Sequence, residues 1–162
     1  MKRVLLVLAL AAFGSPLSLA GGGVGPALQV APNFTFTDLS GEQFSLTKLR
    51  GKAVIVLFGD LRCASCREND QLLRGYQLEY LSHGLVVISL YRAATPQELQ
   101  QYDAQFNFSV LTGALPSRAL AEQYGASTLP TSVFIDRTGT IRGIRRGLLS
   151  EAQLLQMLQS LM

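Results

Sequence analysis

Two cysteines separated by two residues, Cys63 and Cys66, are the only cysteines in the chain. They sit in the stretch Phe58-Gly59-Asp60-Leu61-Arg62-Cys63-Ala64-Ser65-Cys66-Arg67, where an apolar run ends and a helical pattern begins. A sulfur at that junction meets the unpaired N–H groups and the positive dipole end of a helix, which favour its thiolate and make it a nucleophile near neutral pH. A pair at this spacing can pass between dithiol and disulfide without refolding its surroundings. A bridge over so small a loop restrains the unfolded chain weakly, so redox exchange is favoured over a structural staple.

The elements that must hold this pair are legible on either side. Ala53 to Phe58 is an unbroken apolar run with β-branched residues, as in a strand buried on both faces. The following helix is expected to run to about His83-Gly84, with Leu72, Leu73, Tyr76 and Tyr80 within about a quarter-turn as its core-facing stripe. On that wheel Cys66 lies about 20° from the stripe and Cys63 about 80° from it, so Cys63 is the expected attacking sulfur and Cys66 the shielded, resolving one. Gly75 is expected to mark a bend in this helix. Asp70 shares the cysteines' face and lies within range to shuttle the Cys66 proton; its plainer reading is a solvated surface carboxylate. Glu68 points away from both sulfurs, and His83, the sole histidine, reads as a cap or surface residue.

Upstream, Phe34, Phe36, Phe44 and Leu46 alternate with polar residues around Ser40-Gly41, a β-hairpin pattern. Downstream, Leu85 to Tyr91 reads as a second buried strand and Thr95-Pro96-Gln97-Glu98 as a capping box opening a helix. A short strand is expected at Val110-Leu111, a helix at Pro116 to Tyr124, and strands at Ser132 to Asp136 and Ile141 to Arg146. Ser150 and Gln153 cap a last helix striped by Leu154, Leu158 and Leu161. This order implies an α/β sandwich with a parallel core pair and an antiparallel C-terminal edge.

At 162 residues, 48% of them apolar, the chain suits one globular domain. Lys2-Arg3, the apolar run Val4 to Phe13 and the small residues Ser18 and Ala20 read as a signal peptide over residues 1–20, cleaved near Ala20. The alternative, a retained anchor, needs roughly 20 apolar residues, more than Val4 to Phe13 provides. Residues 21–33, rich in Gly and Pro, read as a flexible leader, and 34–162 as the folded domain. Two of the cations behind the net charge of +3 belong to the signal segment, so a nucleic-acid partner is not expected. A periplasmic or other extracytoplasmic location, where disulfides persist, follows from export. No metal or cofactor is expected, and the protein is expected to be a monomer.

The chain resembles thioredoxin-fold proteins of the exported TlpA/ResA-like type. The likeness rests on Ala31-Pro32-Asn33-Phe34, Ser45 to Lys52, the Cys63 to Arg67 stretch, Tyr124-Gly125, and Leu129-Pro130-Thr131 ahead of Val133-Phe134-Ile135-Asp136. It implies a thioredoxin-like fold with an N-terminal hairpin extension and a central helical insertion. It also implies a cis Pro130 opposite the cysteines, with Leu129, Pro130 and Thr131 binding the substrate. The activity implied is thiol–disulfide exchange that reduces disulfides of exported partner proteins, of the kind serving cytochrome c maturation or metal-site assembly, fed by a membrane thiol reductase. The family's usual tryptophan is Arg62 here, its glutamate Asn69, its helix proline Gln71, and its polar strand residue Leu57. No buried carboxyl is therefore assignable from the strand, and Arg62, with Arg67, is expected to stabilise the Cys63 thiolate instead. Two other readings remain: an SCO-like copper-binding assembly factor, for which a wider cysteine spacing and a placed histidine are missing, and a peroxiredoxin-like thiol peroxidase, whose expected threonine is Asp60.

Overall fold

A computed structural model of the protein describes residues 29–107 and 110–162; the expected signal peptide and most of the expected leader lie outside the described residues. The fold is built around β3 (Ala53–Gly59), whose seven residues are all buried. It pairs in parallel with β4 (Leu85–Tyr91) on one side and antiparallel with β6 (Thr131–Ile135) on the other. β5 (Leu111–Ala114) runs parallel to β4, and β7 (Ile141–Arg146) antiparallel to β6, which completes the order β5-β4-β3-β6-β7. The parallel part therefore has three strands rather than the expected two.

The period of two in β3 divides the core. Val54, Val56 and Phe58 face a layer of Phe34, Phe36, Leu120 and Tyr124. Ile55 and Leu57 face Leu73 of α1 (Ala64–Glu79) and Leu154 and Leu158 of α4 (Glu151–Leu161). The first layer holds the hairpin of β1 (Thr35–Thr37) and β2 (Gln43–Ser45), a small sheet of its own. The hairpin touches the main sheet through an isolated bridge between Asp38 and Gly113. A Cβ at Gly113 would stand 2.6 Å from the Thr37 carbonyl oxygen, so only glycine permits that approach. Both expected capping boxes are present, Thr95 with Glu98 at α2 (Pro96–Asp103) and Ser150 with Gln153 at α4.

Residues 29–33, expected as the end of a flexible leader, are instead held by the domain. Ile141 N–H donates to the Gln29 carbonyl at 2.8 Å, Ala31 N–H to Gly139 at 2.9 Å, and Asn33 accepts from Thr47 N–H at 3.1 Å.

α1 differs most from expectation. Its buried face is Cys66, Asn69, Asp70, Leu73 and Arg74, with Leu72, Tyr76 and Tyr80 only half-buried at the flank. Asp70 is thus not a solvated carboxylate. Its Oδ2 accepts from Arg74 Nε at 2.7 Å and Tyr102 OH at 3.0 Å, and its Oδ1 from the Ser89 hydroxyl. Arg74 also donates to Asp103 at 2.7 Å and to Thr112 at 3.1 Å, and its guanidinium lies 4.3 Å from the Phe106 ring centroid. Burial works against the Arg74 charge, but Asp70 and Asp103 more than offset it and raise its pKa. This network ties the cysteine helix to β4, α2 and β5. The helix stays unbroken through Gly75.

At the β6–β7 turn, Asp136 accepts from Thr138 N–H and hydroxyl, Thr140 N–H and Arg142 Nε. Burial alone would raise its pKa, but these donors prevail and hold it at about 2.

Two outcomes follow. Arg74→Met leaves Asp70 buried without its cation and is expected to destabilise the fold by about 3–5 kcal/mol, read as a lower urea midpoint. Because the folded-state pKa of Asp136 is depressed, its stabilisation is complete above the unfolded value near 4 and lost as pH falls from there toward about 2. Asp136→Asn is expected to flatten the pH dependence of the unfolding free energy in that window; an unchanged slope refutes the assignment.

Candidate active site

β3 ends at Gly59, and the chain turns over Asp60 to Cys63. Asp60 makes that turn: its carbonyl accepts from Cys63 N–H at 3.0 Å and its Oδ1 from Arg62 N–H at 2.9 Å. Cys63 is then the N-cap of α1, in extended backbone conformation, and its Sγ accepts from Cys66 N–H at 3.1 Å. A helix leaves its first N–H groups without intrahelical partners; here a sulfur occupies the position usually held by a Ser, Thr or Asp oxygen. The Ser65 hydroxyl lies 3.4 Å from the same Sγ.

Cys63 and Cys66 are joined as a disulfide, with Cα atoms 5.2 Å apart. Cys63 is half-buried and Cys66 fully buried. Gly59 makes room for this packing: a Cβ there would meet Tyr91 Cε1 at 3.2 Å and Cys66 Cβ at 3.4 Å. Burial first, then the Asp70 charge, push the Tyr91 phenol well above its ordinary pKa, so the ring that shares the space over Gly59 with Cys66 is neutral.

The Leu129–Pro130 peptide is cis. Leu129 lines a hollow of about 330 Å³ together with Cys63, Asp60, Arg62, Arg92 and Ser127. Thr131 is buried; its hydroxyl donates to the Thr128 carbonyl at 2.7 Å, bracing the loop from behind. The structure therefore brings Cys63, Arg62 and Leu129 together at one surface, with Cys66, Pro130 and Thr131 buried.

Arg67 and Asp70 stand elsewhere. Arg67 donates to the Leu61 carbonyl at 2.5 Å and so fastens α1 to the preceding turn. Arg62 lies 3.9 Å from Asp60 Oδ1 and 3.8 Å from Glu98 Oε1, sharing its charge with two carboxylates. Asp70 is saturated by the donors described above. His83 lies at the far end of the helix, its ring 5.7 Å from Tyr80. Among the described residues no group of three or more His, Cys, Asp or Glu side chains is placed to hold a metal ion.

Three participants escaped the sequence reading. In the sequence Ser65 is only one of the two residues between the cysteines. Asn69, noted for what it replaces, is fully buried and accepts from Leu149 N–H at 2.8 Å while donating to the Gly147 carbonyl at 3.0 Å. Gly147 N–H in turn donates to the Pro130 carbonyl at 2.8 Å, so a chain of hydrogen bonds runs from the cysteine helix to the Pro130 loop. Arg92 reaches the hollow because β4 pairs with β3 in register, Tyr91 opposite Gly59.

The AhpC/TSA family model matches residues 27–144, which include the hairpin, both cysteines and the Pro130 loop. The chain belongs to the AhpC/TSA family. Within reach of that membership, it is 28% identical over 111 residues to the thiol-disulfide oxidoreductase ResA of Bacillus thuringiensis strain Al Hakam, covering 68% of this chain and 64% of that relative's length. It is 25% identical over 164 residues to ResA of Geobacillus thermodenitrificans, covering 99% and 94%. The crystal structure of a thiol:disulfide interchange protein of the thioredoxin family from Chlorobium tepidum TLS superposes with a TM-score of 0.74 at 22% identity, over 85% of this chain and 98% of the other. That likeness establishes a thioredoxin-like fold.

Removing the Ser65 donor tests the sulfur's surroundings. In reduced protein, Ser65→Ala is expected to move the midpoint of the Cys63 alkylation profile to higher pH, by up to about one unit. An unmoved midpoint means the hydroxyl does not support the thiolate.

Proposed function

We propose that the protein is an exported thiol–disulfide oxidoreductase that reduces disulfides of partner proteins. The observation that carries this reading is the asymmetry of one bonded pair: Cys63 caps a helix at an open hollow, and Cys66 is buried immediately behind it. The relatives named ResA support the chemistry, and the basic, apolar and small-residue pattern of residues 1–20 supports export with cleavage near Ala20.

In the reduced protein the Cys63 thiolate attacks one sulfur of the partner's disulfide. That S–S bond breaks, the partner's other sulfur leaves as a thiolate, and a mixed disulfide with Cys63 forms against Leu129 and Pro130. Cys66, once deprotonated, attacks the Cys63 sulfur and expels the second partner thiolate. The partner gains two electrons, and the Cys63–Cys66 disulfide is regenerated. The helix N-terminus, the Cys66 N–H and Ser65 favour the attacking anion. Arg62 adds a diffuse positive charge, while Arg67 and Asp70 act by fixing the helix. The oxidised pair must then receive two electrons from a thiol reductase, in this reading a membrane-held one. The pair Ala64-Ser65 between the cysteines lacks the proline and histidine of strongly oxidising members of the fold, which supports the reducing direction.

A reduction potential of about −250 mV or lower is expected for the pair, and a value near −120 mV reverses the direction. Cys66→Ser is expected to accumulate the mixed disulfide through Cys63, seen as a mass shift removed by dithiothreitol. Exchange that persists in Cys63→Ser overturns the mechanism.

A further inference from the structure

The hollow at Cys63 does not end there. A second one, of about 440 Å³, adjoins it, and the two share Arg92, Ser127 and Leu129. The groove therefore continues from the disulfide to α3 (Arg118–Gln123). Leu115, Ala121, Ala126 and Leu129 make its apolar lining, and Arg92, Arg118 and Glu122 its charged rim.

The charges at this groove, Arg62, Arg92 and Arg118 against Asp60, Glu122 and, paired with Arg62, Glu98, balance in number but not in exposure. Asp60 is only 13% exposed, and its carboxylate is already occupied by Arg62 N–H and Arg92. Arg62 and Arg92 remain 70% and 62% exposed, against 44% for Glu98, the other carboxylate beside Arg62. Arg118 is 92% exposed against 55% for Glu122, its partner in a surface pair. Such pairs contribute at most about 1 kcal/mol and exchange partners readily. An approaching chain thus meets guanidinium groups along an apolar floor.

The backbone at the groove's edge adds an independent sign. Ala93, which lines the larger hollow beside Arg92, has φ of 53°, the one non-glycine residue in the left-handed region among those described. A side-chain-bearing residue held there carries a conformational cost, of about 1–2 kcal/mol, and such costs gather at ligand-contacting positions.

We infer that this groove docks an extended partner segment in which the target cystine is flanked by an aliphatic side chain, seated among Leu115, Ala121, Ala126 and Leu129, and by a carboxylate that pairs with Arg92 and Arg118. The inference rests on the exchange reading above and adds to it the class of segment preferred. Charge complementarity of this kind acts mainly on the rate of encounter and on partner choice, and salt weakens it.

The test uses the full chain, reduced, with three probes: the small neutral 2-hydroxyethyl disulfide, and two synthetic cystine peptides identical except that Leu-Glu or Leu-Lys flanks the cystine. The Glu peptide is expected to be reduced about ten-fold faster than the Lys peptide at low salt, with the ratio shrinking as salt rises. Arg118→Glu is expected to cut that ratio several-fold, and Arg118→Lys to retain most of it. Replacing the peptide's Leu by Ser is expected to slow the Glu peptide as well. Equal rates for the two peptides, or an unchanged ratio in Arg118→Glu, overturn the docking inference while reduction of 2-hydroxyethyl disulfide upholds exchange. Failure of the wild-type protein to reduce 2-hydroxyethyl disulfide overturns the exchange reading itself.

Discussion

The hydrogen bond from the Cys66 N–H to the Cys63 sulfur is the constraint on which the site depends. It makes one cysteine the cap of the helix that carries the other, so the geometry of the pair and the start of α1 are a single feature. A helix end leaves donors that need an acceptor, and a thiolate is a better acceptor than a thiol. The same groups that terminate the helix therefore bias the sulfur toward its reactive form.

That arrangement is useful only if α1 cannot shift against the sheet. Two buried polar systems hold it, and both lie on the cysteine face of the helix. Asp70 and Arg74 lock it to β4, α2 and β5, while Asn69 grips the backbone at Gly147 and Leu149. Burying an ion pair gains little net stability over apolar packing, but each satisfied hydrogen bond restricts the register in which the helix can lie. A helix sliding on Leu73 alone would have no comparable reason to stop with Cys66 over Gly59.

The working surface is assembled from segments far apart in the chain: the turn after β3, the end of β4, and the loop before β6. Parallel pairing of β3 with β4 and antiparallel pairing with β6 bring the three to one end of the sheet. This arrangement gives the AhpC/TSA family member a continuous groove beside its disulfide.

Local chemistry was readable without coordinates wherever neighbours in the chain decide the outcome. The helix opening at Cys63, the two capping boxes, the all-apolar β3 and the stripe of α4 each follow from spacing within a few residues, because backbone hydrogen bonding and burial period act at that range. Exposure of polar residues was not readable, since Asp70, Arg74 and Asn69 look like surface residues until their partners are known. Those partners, Ser89, Tyr102, Asp103, Thr112, Gly147 and Leu149, arrive from other elements, and burial of a charge is affordable only where several distant donors and acceptors converge. The same holds for Arg92 and for residues 29–33: a side chain, or the last residues of a leader, has no fixed place until the sheet's pairing supplies one.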